Sequence, residues 1–84
     1  MQKEKKSPQA SFITSDLSLV AFLKLQNYAV LRIDHQNGGR ASFTLQDQTG
    51  REELVLRFFN RETTIEPLGF LDQIRNLKAL IRQT

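Results

Sequence analysis

The chain contains no cysteine and a single histidine, His35, among its 84 residues. A disulfide framework is thereby excluded, as is a zinc site built on Cys/His ligands. Long apolar runs are missing too. The longest, Leu17 to Leu25, is interrupted by Ser18 and Lys24 and falls well short of the roughly 20 residues needed to cross a bilayer. The opening MQKEKKSPQA lacks the apolar stretch and small-residue cleavage site of a secretory signal, so a cytoplasmic protein without a membrane segment is expected. A domain of this size buries only roughly 60% of the surface its unfolded chain exposes, so apolar packing alone must carry a modest stability.

Charge is concentrated at one end. The formal net charge is +3, of which Lys3, Glu4, Lys5 and Lys6 together contribute +2. Residues 1–10 read as a disordered basic tail and residues 11–84 as one small domain. A cationic tail can touch nucleic acid or an acidic surface, but a solubilising role is the preferred reading.

From Phe12 onward the pattern turns structural. Phe12-Ile13-Thr14 is β-prone and runs into Thr14-Ser15-Asp16, where Thr14 is the expected N-cap of a first helix reaching about Gln26, with Asn27 ending it. Tyr28–Asp34 and Arg40–Gln46 alternate with period two. They form a hairpin with Ala29, Leu31 and Ile33 inward on one strand and Ala41, Phe43 and Leu45 inward on the other. A three-residue loop with Gly38 or Gly39 as a bulge keeps inward positions opposite each other and pairs Ile33 with Ala41 or with Phe43. Thr49-x-x-Glu52 has the spacing of a capping box opening a second helix, whose apolar face holds Leu54, Val55, Phe58 and Phe59. Glu66-Pro67 opens a third, with Phe70, Leu71, Ile74, Leu77 and Ile81 at helical spacing. The expected fold is α+β, in the order strand-helix-strand-strand-helix-helix, with helices covering one face of a three-stranded sheet. The dozen or so residues between the first two strands permit a parallel crossover, and the neighbour of the first strand is left open.

Three segments carry a resemblance. Phe12-x-Thr14-x-Asp16-Leu17-x-Leu19, then Gly39-Arg40-x-x-Phe43, and Leu77-Lys78 in the last helix resemble a small bacterial family, domain of unknown function 5659, over nearly everything after the tail. The resemblance implies a fold and no chemistry. Such proteins are expected to carry glycine after the first helix, where this chain has Asn27-Tyr28.

No catalytic set is evident. Asp34-His35 beside the glycine turn is suggestive, but adjacent strand residues point to opposite faces and do not orient one another. A small-molecule enzyme would need Asp34, His35 or Arg40 to converge in a pocket. The remaining carboxylates fall mainly at helix starts, where capping explains them. Asn37-Gly38-Gly39-Arg40 joins two strands and matches no phosphate-loop fingerprint. Neither catalytic activity nor a cofactor nor a metal is expected.

Two binding readings remain. The first helix is apolar around nearly its whole circumference, so a strip including Leu19 and Phe22 is a candidate interface for a second copy or a protein partner. The competing reading has the other elements bury it. A nucleic-acid surface is the alternative, with Arg75, Lys78 and Arg82 as a basic stripe extendable by Arg57 and Arg61. Tyr28, Arg32 and Arg40 would lie on the outer sheet face with Ser42 and Thr44. Dipole stabilisation of the last helix and a solvated sheet face account for the same residues without a ligand. An interaction module without catalysis is the preferred expectation.

Overall fold

A computed structural model describes residues 10–36 and 40–83. The tail through residue 9 and the Asn37-Gly38-Gly39 segment lie outside the described residues. The elements are β1 (Ser11–Thr14), α1 (Leu17–Leu25), β2 (Val30–His35), β3 (Ala41–Gln46), α2 (Arg51–Phe59) and α3 (Pro67–Gln83). This is the expected α+β order.

The sheet order is β1-β3-β2, and both outer strands run antiparallel to β3. The first strand's neighbour is thus β3. β1 and β2 are parallel to each other but separated by β3, so β1-α1-β2 is a split β-α-β unit rather than an adjacent crossover. Ile33 pairs with Phe43, one of the two registers the alternation allowed, and Gln36 N–H donates to the Arg40 carbonyl at 2.8 Å across the three-residue connection.

The inward face of β2 departs from the expected one. Val30 pairs with Leu45 and Arg32 with Thr44, leaving Leu31 as the extra residue of a β-bulge. Before the bulge the core phase is Tyr28 and Val30, and after it Ile33. Ala29 and Leu31, expected inward, are exposed, whereas Tyr28 is buried in the core. A bulge shifts the alternation by one, which no period-two reading can see.

Each helix end follows its own local chemistry. Thr14 stays in the sheet opposite Phe43, so the cap of α1 passes to Asp16, whose Oδ1 accepts from Leu19 N–H at 3.1 Å; Thr14 Oγ1 instead accepts from Asp16 N–H. At α2 the Thr49 capping box does not form. Arg51 N–H donates to the Gln48 carbonyl, and Gly50 sits at φ 87°, ψ 1°, the position of a type II turn that calls for glycine. The N-cap moves to Gly50, and Glu52 and Glu53 lie in the first turn, where the helix dipole favours them. α3 opens as expected on Glu66-Pro67, the Glu66 carboxylate accepting from the Leu68 and Gly69 amides.

α1 and α2 both end in Schellman motifs. Tyr28 N–H donates to Leu23 O and Asn27 N–H to Lys24 O; Glu62 N–H donates to Arg57 O and Arg61 N–H to Phe58 O. Asn27 (φ 70°) and Arg61 (φ 60°) occupy the left-handed position usually taken by glycine. Asparagine tolerates this conformation, which accounts for Asn27 in place of the expected glycine, but arginine pays its Cβ cost in full. Arg61→Gly should therefore raise stability by about 1 kcal/mol in urea denaturation.

α1 supplies the centre of the core: Leu19, Val20, Ala21, Phe22 and Leu23 are at most 2% exposed. The strip expected at its surface does not exist, because α3 packs along α1 and the sheet closes the other side. α2 packs on the core through Leu54, Val55 and Phe58, the last stacked on Phe22 of α1 with ring centroids 4.8 Å apart. Leu71, expected in the core, is exposed, as is Phe59.

Candidate interaction surface

A clamp at one corner sets where α2 begins. Asp47 Oδ1 accepts from Arg51 Nε at 3.0 Å and Oδ2 from Nη2 at 3.3 Å, with both side chains about one-fifth exposed. The guanidinium carbon lies 4.1 Å from the centroid of the Phe12 ring, a cation-π contact that fixes β1 to the start of α2. Asp47 N–H donates to the Ala10 carbonyl, and the Gln48 amide donates to the Asn27 carbonyl at 3.1 Å. Four segments are thus tied at one point.

The hydrogen bonds from Arg51, opposed in part by burial, hold the Asp47 carboxyl below its ordinary value of 3.8. The same pair pushes Arg51 upward. Burial, helped by the nearby Asp47 charge, raises the Tyr28 phenol above 10.0. Because the folded-state value of Asp47 is depressed, the pair's contribution is present above the ordinary carboxylate range and lost as pH falls through the folded value. Asp47→Asn should cost about 1–2 kcal/mol near pH 7 and flatten the acid limb of the stability profile, read by urea denaturation between about pH 7 and pH 3. The corner is a structural clamp. Its carboxylate and guanidinium satisfy each other.

The expected nucleic-acid contacts separate. Tyr28 is 6% exposed and Ser42 8%, so the outer sheet face presents no aromatic from Tyr28. Arg32 and Arg40 are exposed, and Arg32 Nε donates to Asp34 Oδ1 at 2.8 Å. Arg75, Lys78 and Arg82 are all exposed on α3, Arg75 at 3.4 Å from Asp72. Since α2 leans on α1 rather than pairing along α3, Arg57 and Arg61 do not continue that stripe as a helical hairpin would. Among the described residues, no group of three or more His, Cys, Asp or Glu side chains is placed to hold a metal. No described helix is long and apolar enough to cross a membrane.

The exposed apolar residues lie elsewhere. Leu68 is 69% exposed and Leu71 47%, on the outward side of α3. At about 100° per residue, Leu71 and Leu68 are offset from the buried Leu77 by roughly 120° and 180°. Arg75, Lys78 and Arg82 fall on the same side, so α3 presents an apolar N-terminal half leading into a basic C-terminal half. α2 shows a second outward set, with Leu56 62% and Phe59 55% exposed. The sequence signal for both was available: each helix carries more apolar positions than one core-facing stripe can use.

These features define a small α+β domain of split β-α-β topology, with its helices on one face of the sheet and two outward helical faces that mix leucine or phenylalanine with charge. The chain belongs to the family described as Domain of unknown function (DUF5659), whose model matches residues 9–83. No curated protein and no solved structure matches it.

Proposed function

We propose that this domain is a non-catalytic protein-interaction module that works through the outward face of α3. The observation that carries the reading is the exposure of Leu68 and Leu71 directly ahead of Arg75, Lys78 and Arg82 on one helical face. Large aliphatic side chains gain little from water, and a basic flank selects a partner that offers apolar residues followed by acidic ones. The interface moves from the first helix, where sequence alone put it, to the last.

An isotope-labelled NMR titration tests this with a synthetic amphipathic peptide carrying paired leucines and a run of glutamates, and a mixed-sequence oligonucleotide as counter-probe. The expected result is peptide-induced shifts at Leu68, Leu71 and Arg75 that vanish in Leu71→Asp. Shifts from the oligonucleotide alone, steeply salt-dependent and confined to Arg75, Lys78 and Arg82, would replace the reading with nucleic-acid binding. Silence toward both probes from a chain that sediments as a monomer would overturn it.

A further inference from the structure

We propose that the partner of the α3 face is α2 of a second copy of this chain. The inference rests on the interaction-module reading and names its occupant. Glu52, Leu56 and Phe59 recur at intervals of four and three, so they share one face of α2; all three are exposed. Along α2 the acid comes first and the apolar pair second. Along α3 the order is apolar, then basic.

The spacings match as well as the signs. Glu52 lies five and a half residues before the midpoint of Leu56 and Phe59, about 8 Å at helical rise, and Arg75 lies the same five and a half residues, about 8 Å, beyond the midpoint of Leu68 and Leu71. Laid antiparallel, the two faces put Leu56 and Phe59 on Leu68 and Leu71 while Glu52 meets Arg75. Within one copy these faces do not cover each other, since Leu56, Phe59, Leu68 and Leu71 are all 47% exposed or more and α2 packs toward α1. Each copy carries both faces, so the contact made twice, reciprocally, would close as a two-fold dimer. Asp72, bonded to Arg75 in the single chain, would release it to Glu52.

Sedimentation velocity on the full chain reads the outcome. The wild type is expected to dimerise, and Glu52→Arg or Arg75→Glu, each setting like charges against one another at both contacts, should weaken self-association by roughly a hundredfold. Mixing the two variants should restore a dimer, because each contact then joins opposite charges. Leu68→Ser reads the same interface without a charge change and protects the test should Glu52→Arg disturb the first turn of α2. Variants that dimerise as the wild type does, or a mixture that stays monomeric, would overturn the proposal. A wild type that is monomeric at millimolar concentration, yet still shifts at Leu71 with the peptide, would overturn the second copy alone. Monomer without peptide binding would remove both readings.

Discussion

Replacing Phe43 by alanine is expected to destabilise the domain by about 3–5 kcal/mol, the range for removing a buried ring and leaving the space unfilled. Phe43 is 1% exposed on the central strand, with Thr14 of β1 and Ile33 of β2 as its neighbours on either side. Its ring therefore fills the inner face where all three strands meet, and no flanking residue can collapse into the gap without breaking a ladder. A folded chain of this length is stabilised by roughly 4–12 kcal/mol in total, so the variant should sit close to its unfolding midpoint at room temperature. Chemical denaturation gives the value directly. Leu71→Ala supplies the contrast: as an exposed helical position it should change stability by less than about 0.5 kcal/mol. A large loss at Leu71 would contradict its outward placement, and a small loss at Phe43 would contradict the assignment of the inner sheet face.

Phe22→Ala should cost a similar amount, about 3–5 kcal/mol, but with a different signature. Phe22 is 1% exposed and stacks on Phe58, while α2 has no fully buried residue of its own. Losing the Phe22 ring removes the surface on which Phe58 stacks and leaves α2 held by the partly buried Leu54 and Val55. Amide exchange should accelerate selectively across residues 51–59, beyond the general loss of protection, because a nine-residue helix is marginal without tertiary contacts. Uniform acceleration across α1, α2 and α3 would show instead that Phe58 is held by other contacts. The Asp47–Arg51 clamp would still fix the start of α2 in this variant, so the fraying should be worst toward Phe59.

Much of the architecture was legible because it is encoded locally. The element order follows from apolar periodicity, from Glu66-Pro67 as a helix opening, and from the length of the turn between β2 and β3. These signals act over a few residues and survive whatever the rest of the chain does. Asn27 as the end of α1 belongs with them, since asparagine accepts the left-handed conformation more readily than most residues. Thr14 and Thr49 were misplaced as caps for an equally local reason that runs the other way. Several hydroxyl, carboxylate and glycine positions compete within three residues, and the strand pairing of Thr14 and the turn at Gly50 decide between them.

The candidate surface was half legible. Arg75, Lys78 and Arg82 stand out by spacing alone, and their exposure follows from their charge. Leu19 and Phe22 were misread as surface because the amount of apolar residue on a helix says how much must be covered, not what covers it. α3 and the sheet supply that cover, over sequence separations of roughly fifty residues in the case of α3. Leu68 and Leu71 were then left outside, since α3 can turn only one side toward α1.

By itself, then, the sequence determined the class of fold, the order of its elements, the three-residue hairpin connection and the basic end of the last helix, all consequences of short-range periodicity, capping and charge. Tertiary structure decided that β1 lies beside β3, that a bulge at Leu31 turns Tyr28 inward, that Leu19 to Leu23 of α1 are enclosed, and that the outward leucines belong to α3. Each of those depends on which surfaces find each other across the folded chain, and burial is a property of the pair of surfaces rather than of either one.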